Sequence, residues 1–180
     1  MKKLLSAVVF TVFAVVLSGA ELAVNFKDAL AKTPPMAGAV KGWVRNGNAK
    51  TPDIGNGEVT EEDGVACFKI ETTRRNTEFY LLKSFKARAG QTLEFEITAQ
   101  GKGYLLSSCY SYEASKKFFA SGTRLQYSRL NGQKKVYKTS IKLLDGKKGE
   151  KLDYILLSVG AADKSEVTVF DIKARITDGK

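Results

Sequence analysis

Residues 78–113 constrain the fold more than any other stretch, because apolar and polar side chains alternate there between glycine-containing turns. The apolar positions at its centre are Leu93, Phe95, Ile97 and Ala99. The residues between them are polar, as expected for a strand with one face in a core and one face in water. Glycines in 89–91 and 101–103 interrupt the alternation. The stretch is therefore predicted to form three successive β-strands.

Residues 101–103 (Gly-Lys-Gly) have the composition of a three-residue hairpin loop, in which glycine supplies the positive φ angle. Such a loop would pair residues 92–100 with residues 104–112. Directly opposed residues share a face of the sheet, so this register gathers three tyrosines and two glutamates away from the core. These residues are Tyr104, Tyr110, Tyr112, Glu94 and Glu96. A register slip of one residue would turn Tyr110 and Tyr112 inward.

The rest of the chain continues the strand pattern. We count about nine strands at a spacing of roughly 8–12 residues, without a helical pattern longer than two turns. Residues 26–32 are predicted as a short helical turn, residues 46–57 as a polar loop, and residues 61–64 as a turn. Asn131-Gly132 and Asp145-Gly146 are further turn signals. The pattern predicts an all-β fold, an antiparallel β-sandwich of the jelly-roll type with two sheets.

The first twenty residues have the features of a signal peptide. Lys2 and Lys3 precede an apolar run over residues 4–17, and Ser18-Gly19-Ala20 places small residues at a cleavage site. We expect cleavage after Ala20, leaving residues 21–180 as one secreted or periplasmic domain. The run is shorter than the roughly 20 residues that a membrane-spanning helix needs. The alternative is an uncleaved membrane anchor.

The charge balance is basic. The 29 lysines and arginines outnumber the 19 acidic residues, for a net charge of +10 that would fall to +8 after removal of Lys2 and Lys3. In an exported protein this balance favours acidic polysaccharides or a cell surface as partners. The alternative is that the lysines only solvate the surface and the edge strands. Nucleic acid is not expected, because the basic residues are scattered and the chain is predicted to be exported.

The chain contains two cysteines, Cys67 and Cys109, both in strand-like segments. In an oxidising compartment they could form a disulfide, and two buried free thiols are equally compatible with the sequence.

Several segments resemble jelly-roll carbohydrate-binding modules of the xylan- and glucan-binding, galactose-binding-like type. The resemblance lies in Gly42-Trp43, the strand DGVACFKIET, the phrase FKARAGQTLEFEITAQGKG, and the series VYKTSIKL, YILLSVG and EVTVFDIKARI. It implies a concave sheet face that holds a sugar chain by aromatic stacking and hydrogen bonds. Such modules often carry a structural calcium near an N-terminal Asn/Glu pair and a final-strand aspartate, here Asp171. Lys27 follows Asn25-Phe26 where an acidic residue would be expected, so we predict no metal and no cofactor.

The candidate ligand-binding residues follow from the aromatic and acidic side chains of the predicted strands. Tyrosine suits a sugar surface because its ring is apolar and its hydroxyl is polar. The candidates are Tyr104, Tyr110, Tyr112, Glu94, Glu96, Tyr154 and Trp43. The alternatives are half-buried strand tyrosines and a tryptophan packed in the core. Phe118 and Phe119 are predicted either to form a lip beside a ligand or to pin a loop to the sandwich.

Three function classes remain open. The first is a non-catalytic, secreted module that binds a polysaccharide or oligosaccharide. The second is a structural or protein-interaction sandwich of the cell envelope, and the third is a polysaccharide lyase on a jelly-roll scaffold. The chain contains no histidine, which excludes a Ser-His-Asp centre and a histidine-ligated metal. The separation of Glu94 and Glu96 along one strand is also common without catalysis, so no catalytic residue is predicted.

Overall fold

The computed structural model describes residues 21–24, 26, 39–40, 43–46, 55–72, 76–81, 84–122 and 124–178. These residues form twelve strands, and all of the strand pairings described are antiparallel. The strands are β1 (Glu21–Val24), β2 (Ala39–Val40), β3 (Trp43–Asn46), β4 (Gly55–Glu62), β5 (Val65–Thr72), β6 (Thr77–Leu81), β7 (Phe85–Lys86), β8 (Thr92–Tyr112), β9 (Arg124–Asn131), β10 (Lys135–Lys142), β11 (Tyr154–Ala161) and β12 (Glu166–Thr177). Together they make an antiparallel β-sandwich of the jelly-roll type, as predicted.

Strand β8 is the central element of the fold, with 21 residues. Along one edge, β10 pairs with its first half and β9 with its second half. Along the other edge, β12 pairs with the first half and β11 with the second. Strand β8 therefore belongs to both sheets of the sandwich and has two strands along each of its edges.

The predicted hairpin at residues 101–103 is wrong, because β8 passes through these residues without reversing. Residues 92–100 do not pair with residues 104–112 in this strand. Gly101 (φ 139°) and Gly103 (φ 86°) bend the strand instead, while Lys102 stays paired with β9 on one side and β12 on the other. The turn expected at Asn131-Gly132 is likewise a bend between β9 and β10, where the Gly132 N–H donates to the Gly101 carbonyl at 2.9 Å.

The bend at Gly101 and Gly103 divides the strands into two sheets that share β8. The first half of β8 continues through β12 to β5 and β4, with β1 also paired to β12. The second half continues through β11 to β6, β3 and β2, with β7 also paired to β11. The sheets meet across the core, where the rings of Phe68 on β5 and Phe79 on β6 pack edge to face with centroids 4.9 Å apart.

The alternation along β8 places its odd-numbered side chains in the core, as predicted for its first half. Leu93, Phe95, Ile97, Ala99 and Leu105 are each at most 2% exposed. Burying large apolar side chains of this kind contributes about 1.5–3 kcal/mol each to stability. The even-numbered side chains consequently point away from the core along the whole strand.

Two further predictions are corrected by the structure. Residues 55–62, assigned partly to a loop, form β4. The turn is confined to Asp63 and Gly64, whose φ angles of 50° and 75° suit a two-residue hairpin. Of the two alternatives left open for Cys67 and Cys109, the structure has buried thiols that form no disulfide with each other.

Other predictions fall wholly or largely outside the described residues. They are the signal peptide over residues 1–20 and all but Phe26 of the helical turn over residues 26–32. Among the described residues, no helix is long and apolar enough to cross a membrane.

Candidate functional site

The outward face of the second sheet carries all four of the predicted ligand-binding tyrosines. Residues paired directly across neighbouring strands share a face, and the registers of β6, β9 and β11 with their neighbours define this one. We call it the tyrosine face. Its residues are Glu78, Tyr80, Tyr104, Leu106, Ser108, Tyr110, Tyr112, Leu125, Tyr127, Arg129, Tyr154, Leu156, Ser158 and Gly160.

Aromatic rings cluster at one end of the tyrosine face. Tyr112 and Tyr154 are paired across β8 and β11, and their rings stack with centroids 4.9 Å apart and planes 4° apart. Phe118 lies 5.7 Å from the Tyr112 ring and 6.1 Å from the Tyr110 ring. Tyr110 also meets Tyr80 edge to face at 5.0 Å. Five rings therefore form one continuous aromatic surface.

Beside these rings lies a buried carboxylate, that of Glu78, which is 8% exposed. The Tyr110 hydroxyl lies 3.0 and 2.9 Å from its two oxygens, and the Ser158 hydroxyl donates to it at 2.5 Å. Among the described residues no lysine or arginine forms an ion pair with Glu78. The carboxylate is thus oriented by neutral donors, and its remaining acceptor capacity can serve a ligand.

Burial also raises the pKa of the neighbouring phenols above their ordinary value of about 10. It raises the pKa of Tyr80 to about 12. Burial, followed by the charge of Glu78, raises the pKa of Tyr110 above its usual range. Because both hydroxyls stay protonated at neutral pH, Tyr110 remains a hydrogen-bond donor to Glu78.

The Ser108 hydroxyl adds an unfilled polar group to the floor of the face. Ser108 is fully buried and paired with Ser158 across β8 and β11. Its hydroxyl has no hydrogen-bond partner within the described part of the chain. A buried hydroxyl without a partner costs roughly 1–3 kcal/mol, and because Ser108 is 0% exposed, a ligand on the surface does not reach it.

The opposite end of the tyrosine face is more exposed. Tyr104 and Tyr127 are 43% and 47% exposed, and Leu125 lies beside them at 48%. The Asn76 side chain donates to the Tyr127 hydroxyl at 2.9 Å. Tyr104 and Tyr112 are eight residues apart on one strand, a span of about 27 Å at the usual rise of ~3.4 Å per residue. The face is therefore long enough for an extended ligand.

Glu94 and Glu96 do not belong to this face, contrary to the prediction. Without the hairpin, they lie on the first half of β8, in the other sheet. Glu94 pairs with Arg175 at 2.5 Å, and Glu96 with Lys138 at 2.7 Å. The hydrogen bond from Lys138 holds the pKa of Glu96 below its usual value. Both carboxylates border a shallow pocket of about 230 Å³ that contains no aromatic side chain.

The remaining candidates have mixed outcomes. Phe119 is 3% exposed and pins its loop to the core, whereas Phe118 is 43% exposed and joins the tyrosine face. Trp43 lies in β3, but its side chain is outside the described part of the structure, so its role stays a prediction.

Sequence reasoning missed Glu78, Tyr80, Ser158 and Tyr127. The alternation of Thr77, Glu78, Phe79 and Tyr80 does place Glu78 and Tyr80 on one face of a strand. Their position beside Tyr110 depends on the strand order β6-β11-β8, which joins segments far apart in the sequence. Within the described residues, no group of three or more acidic or cysteine side chains could hold a metal ion.

Among comparisons with known proteins, only the comparison of structures finds proteins similar to this chain. No protein-family model matches this chain, and no curated protein matches its sequence. A cyclase from Fischerella sp. TAU is similar in structure, with a TM-score of 0.55 and 6% identity over 89% of this chain and 100% of the cyclase. At this identity the likeness shows the fold alone.

Two other similar structures have TM-scores below 0.5, which is too low to support an argument. The carbohydrate-binding module BiXyn10A CBM1 has a TM-score of 0.48 and 9% identity over 86% of this chain and 96% of the module. The enzymatically active domain of bacteriophage CBA120 tailspike protein 4 has a TM-score of 0.49 and 11% identity over 73% of this chain. This chain spans 19% of that tailspike chain.

Proposed function

We propose that this protein is a non-catalytic, secreted carbohydrate-binding module that holds a polysaccharide or oligosaccharide on the tyrosine face. The observation that carries the proposal is the Glu78 carboxylate, buried and oriented by Tyr110 and Ser158 beside a continuous aromatic surface. Secretion rests on the signal-peptide features of residues 1–20. The mass of the N-terminal peptide of the exported protein tests the predicted cleavage after Ala20.

The two kinds of group on this face match the two kinds of surface on a sugar. Exposed aromatic rings such as Phe118 and Tyr104 offer flat apolar faces to the C–H groups of a pyranose ring. Glu78 accepts hydrogen bonds from sugar hydroxyls. The span of about 27 Å between Tyr104 and Tyr112 favours a chain of sugars over a single residue.

The proposal is one of binding rather than hydrolysis. Glycoside hydrolysis normally requires two carboxyl groups about 5–10 Å apart that flank the scissile bond. The described residues of the tyrosine face include one carboxylate, Glu78. Glu94 and Glu96 are held in ion pairs in the other sheet.

An affinity-gel and calorimetry panel of neutral and acidic glycans tests the proposal. We expect Tyr112→Ala, Tyr154→Ala and Glu78→Gln each to weaken binding about 2- to 30-fold, corresponding to ~0.5–2 kcal/mol per lost stacking or hydrogen-bonding contact. Val136→Ala is the matched control, because Val136 is 50% exposed on the outward face of the other sheet. Failure of the wild-type protein to bind any glycan in the panel would reject the proposal.

A structural or protein-interaction role is the second candidate. It is favoured by exposed apolar side chains concentrated on the strands and loop over residues 124–144. These are Leu125, Tyr127, Val136 and Leu144, each at least 41% exposed. Exposed apolar side chains that cluster on a surface are common at protein–protein contacts. Leu125 and Tyr127 also belong to the tyrosine face, so the variant that separates the two roles is Val136→Ala with Leu144→Ala, which should bind glycan normally.

A further inference from the structure

Two strands at opposite ends of the first sheet have opposite charge. Strand β10 (KVYKTSIK) contains Lys135, Lys138 and Lys142 and no acidic residue. Strand β4 (GNGEVTEE) contains Glu58, Glu61 and Glu62 and no basic residue. Both strands have eight residues, so their backbones could pair along their full length.

Each of the two strands pairs on one side only among the described residues. β10 pairs with β8, and β4 pairs with β5. β2 lies near β4 but pairs with β3. Because an antiparallel strand directs alternate N–H and C=O groups to each side, the outer side of each edge carries backbone groups with which no described strand pairs, and another strand could use them.

Charged side chains on both edges remain available to a partner. Glu58 and Glu61 are exposed and form no ion pair with a described residue. On β10, Lys142 is likewise exposed and forms no ion pair with a described residue. The Nζ atom of Lys135 lies 5.2 Å from the centroid of the Tyr137 ring. The two edges therefore attract each other, whereas either edge would repel a copy of itself.

We propose that this protein self-associates head to tail, with the acidic β4 edge of one copy adding to the basic β10 edge of the next. The contact joins two different surfaces, so it leaves one free β4 edge and one free β10 edge at the ends of every assembly. It extends the first sheet from copy to copy through backbone hydrogen bonds. The tyrosine face belongs to the second sheet and stays open in each copy.

The ionic strength of the solution should control this association. The lysine and glutamate side chains are exposed, and attraction between exposed charges is screened over about 10 Å at 0.1 M salt. Light scattering coupled to size exclusion should show a mass that rises with protein concentration at low salt and falls towards the monomer at high salt. A monomer at the highest attainable concentration in low salt would overturn the proposal, and would show that the lysines keep the edge unpaired.

Charge reversal on one edge at a time tests the geometry of the contact. Lys135→Glu with Lys142→Glu makes both edges acidic, and Glu58→Lys with Glu61→Lys makes β4 basic like β10. Each double variant alone should be monomeric. An equimolar mixture should associate again, because each altered edge then meets a complementary edge on the other variant.

The matched control is Lys147→Glu with Lys148→Glu, a reversal of two exposed charges in the loop between β10 and β11. We expect it to leave association unchanged, and thermal unfolding confirms that all of the variants are folded. Association of either edge variant alone, or a mixture that stays monomeric, would overturn the head-to-tail contact. Glycan binding does not enter these measurements, so the result is independent of the proposed carbohydrate site.

Discussion

Removing one hydroxyl from the tyrosine face tests whether hydrogen bonds from neutral donors stabilise the buried carboxylate of Glu78. Tyr110→Phe deletes the hydroxyl that lies 2.9 and 3.0 Å from the two carboxylate oxygens. The ring remains to pack edge to face on Tyr80 at 5.0 Å and against Phe118 at 6.1 Å. The substitution therefore removes the hydrogen bonds of this hydroxyl to Glu78 and to Tyr80 while keeping the aromatic contacts.

The expected loss of stability follows from the kind of hydrogen bond that is removed. A hydrogen bond to a charged group contributes about 1.5–3 kcal/mol to stability. Ser158 continues to donate to Glu78, which keeps the loss within this range. For a domain of this size the loss corresponds to a fall in melting temperature of roughly 3–12 °C. Urea unfolding followed by circular dichroism measures the change in the free energy of unfolding directly.

A control variant and a double variant test whether the loss of stability comes from the contact between Tyr110 and Glu78. Tyr112→Phe removes a hydroxyl from the same face of the same strand, two residues away, and no hydrogen bond to that hydroxyl is described. We expect it to change stability by less than about 0.5 kcal/mol. In the Glu78→Gln background, Tyr110→Phe should cost less than in the wild type. Equal losses for Tyr110→Phe and Tyr112→Phe, or equal costs in the two backgrounds, would refute the dependence of Glu78 on Tyr110.

Three further predictions concern the bend, the thiols and the buried phenol. Gly101→Ala should lower the free energy of unfolding more than Gly90→Ala in urea titrations, because a Cβ at Gly101 would strike the backbone of β12, whereas Gly90 has open space. Cys67 and Cys109 should react with a thiol reagent only after denaturation, giving two free thiols per chain in mass spectrometry; a disulfide found in the exported protein would contradict the structure. The pKa of Tyr80, raised by burial to about 12, is higher in the folded than in the unfolded state, where it is about 10. Its contribution to stability is therefore complete below pH ~10 and is lost as the pH rises towards 12, which ultraviolet titration alongside urea unfolding would detect.

Strands could be predicted from the sequence wherever apolar and polar residues alternate, because this pattern indicates a strand with one buried face. Residues 92–99 and 166–176 carry such a pattern, and both lie within strands of the structure. The loop assigned up to Gly57 was wrong from residue 55 onwards because glycine and asparagine favour turns, although pairing with β5 holds this segment extended. In that case tertiary pairing overrides local preference.

The prediction of the site was wrong because of one turn, the hairpin expected at residues 101–103. A Gly-Lys-Gly segment fits either a hairpin loop or a bend in a continuous strand, and the outcome depends on its partners. Here β9 and β12 pair with Lys102 from both sides, so the strand continues. Tyr104, Tyr110, Tyr112 and Tyr154 still share a face, because that depends on spacing within β8 and on pairing with β11. Glu94 and Glu96 lose their place because it depended on the reversal.

The bend in β8 also explains why the two outward faces of the sandwich differ. Before Gly101 the outward residues of β8 lie between β10 and β12, whose lysines and Arg175 neutralise Glu94 and Glu96. After Gly103 they lie between β9 and β11, and the neighbouring side chains are tyrosines, leucines, Ser158 and Arg129, with Glu78 bonded to Ser158. A face in which charges already satisfy one another gains little from an uncharged sugar, since binding would have to replace existing ion pairs. The second face retains acceptor capacity at Glu78 and exposed rings at Tyr104 and Phe118, so the proposed glycan would add contacts there without breaking an ion pair.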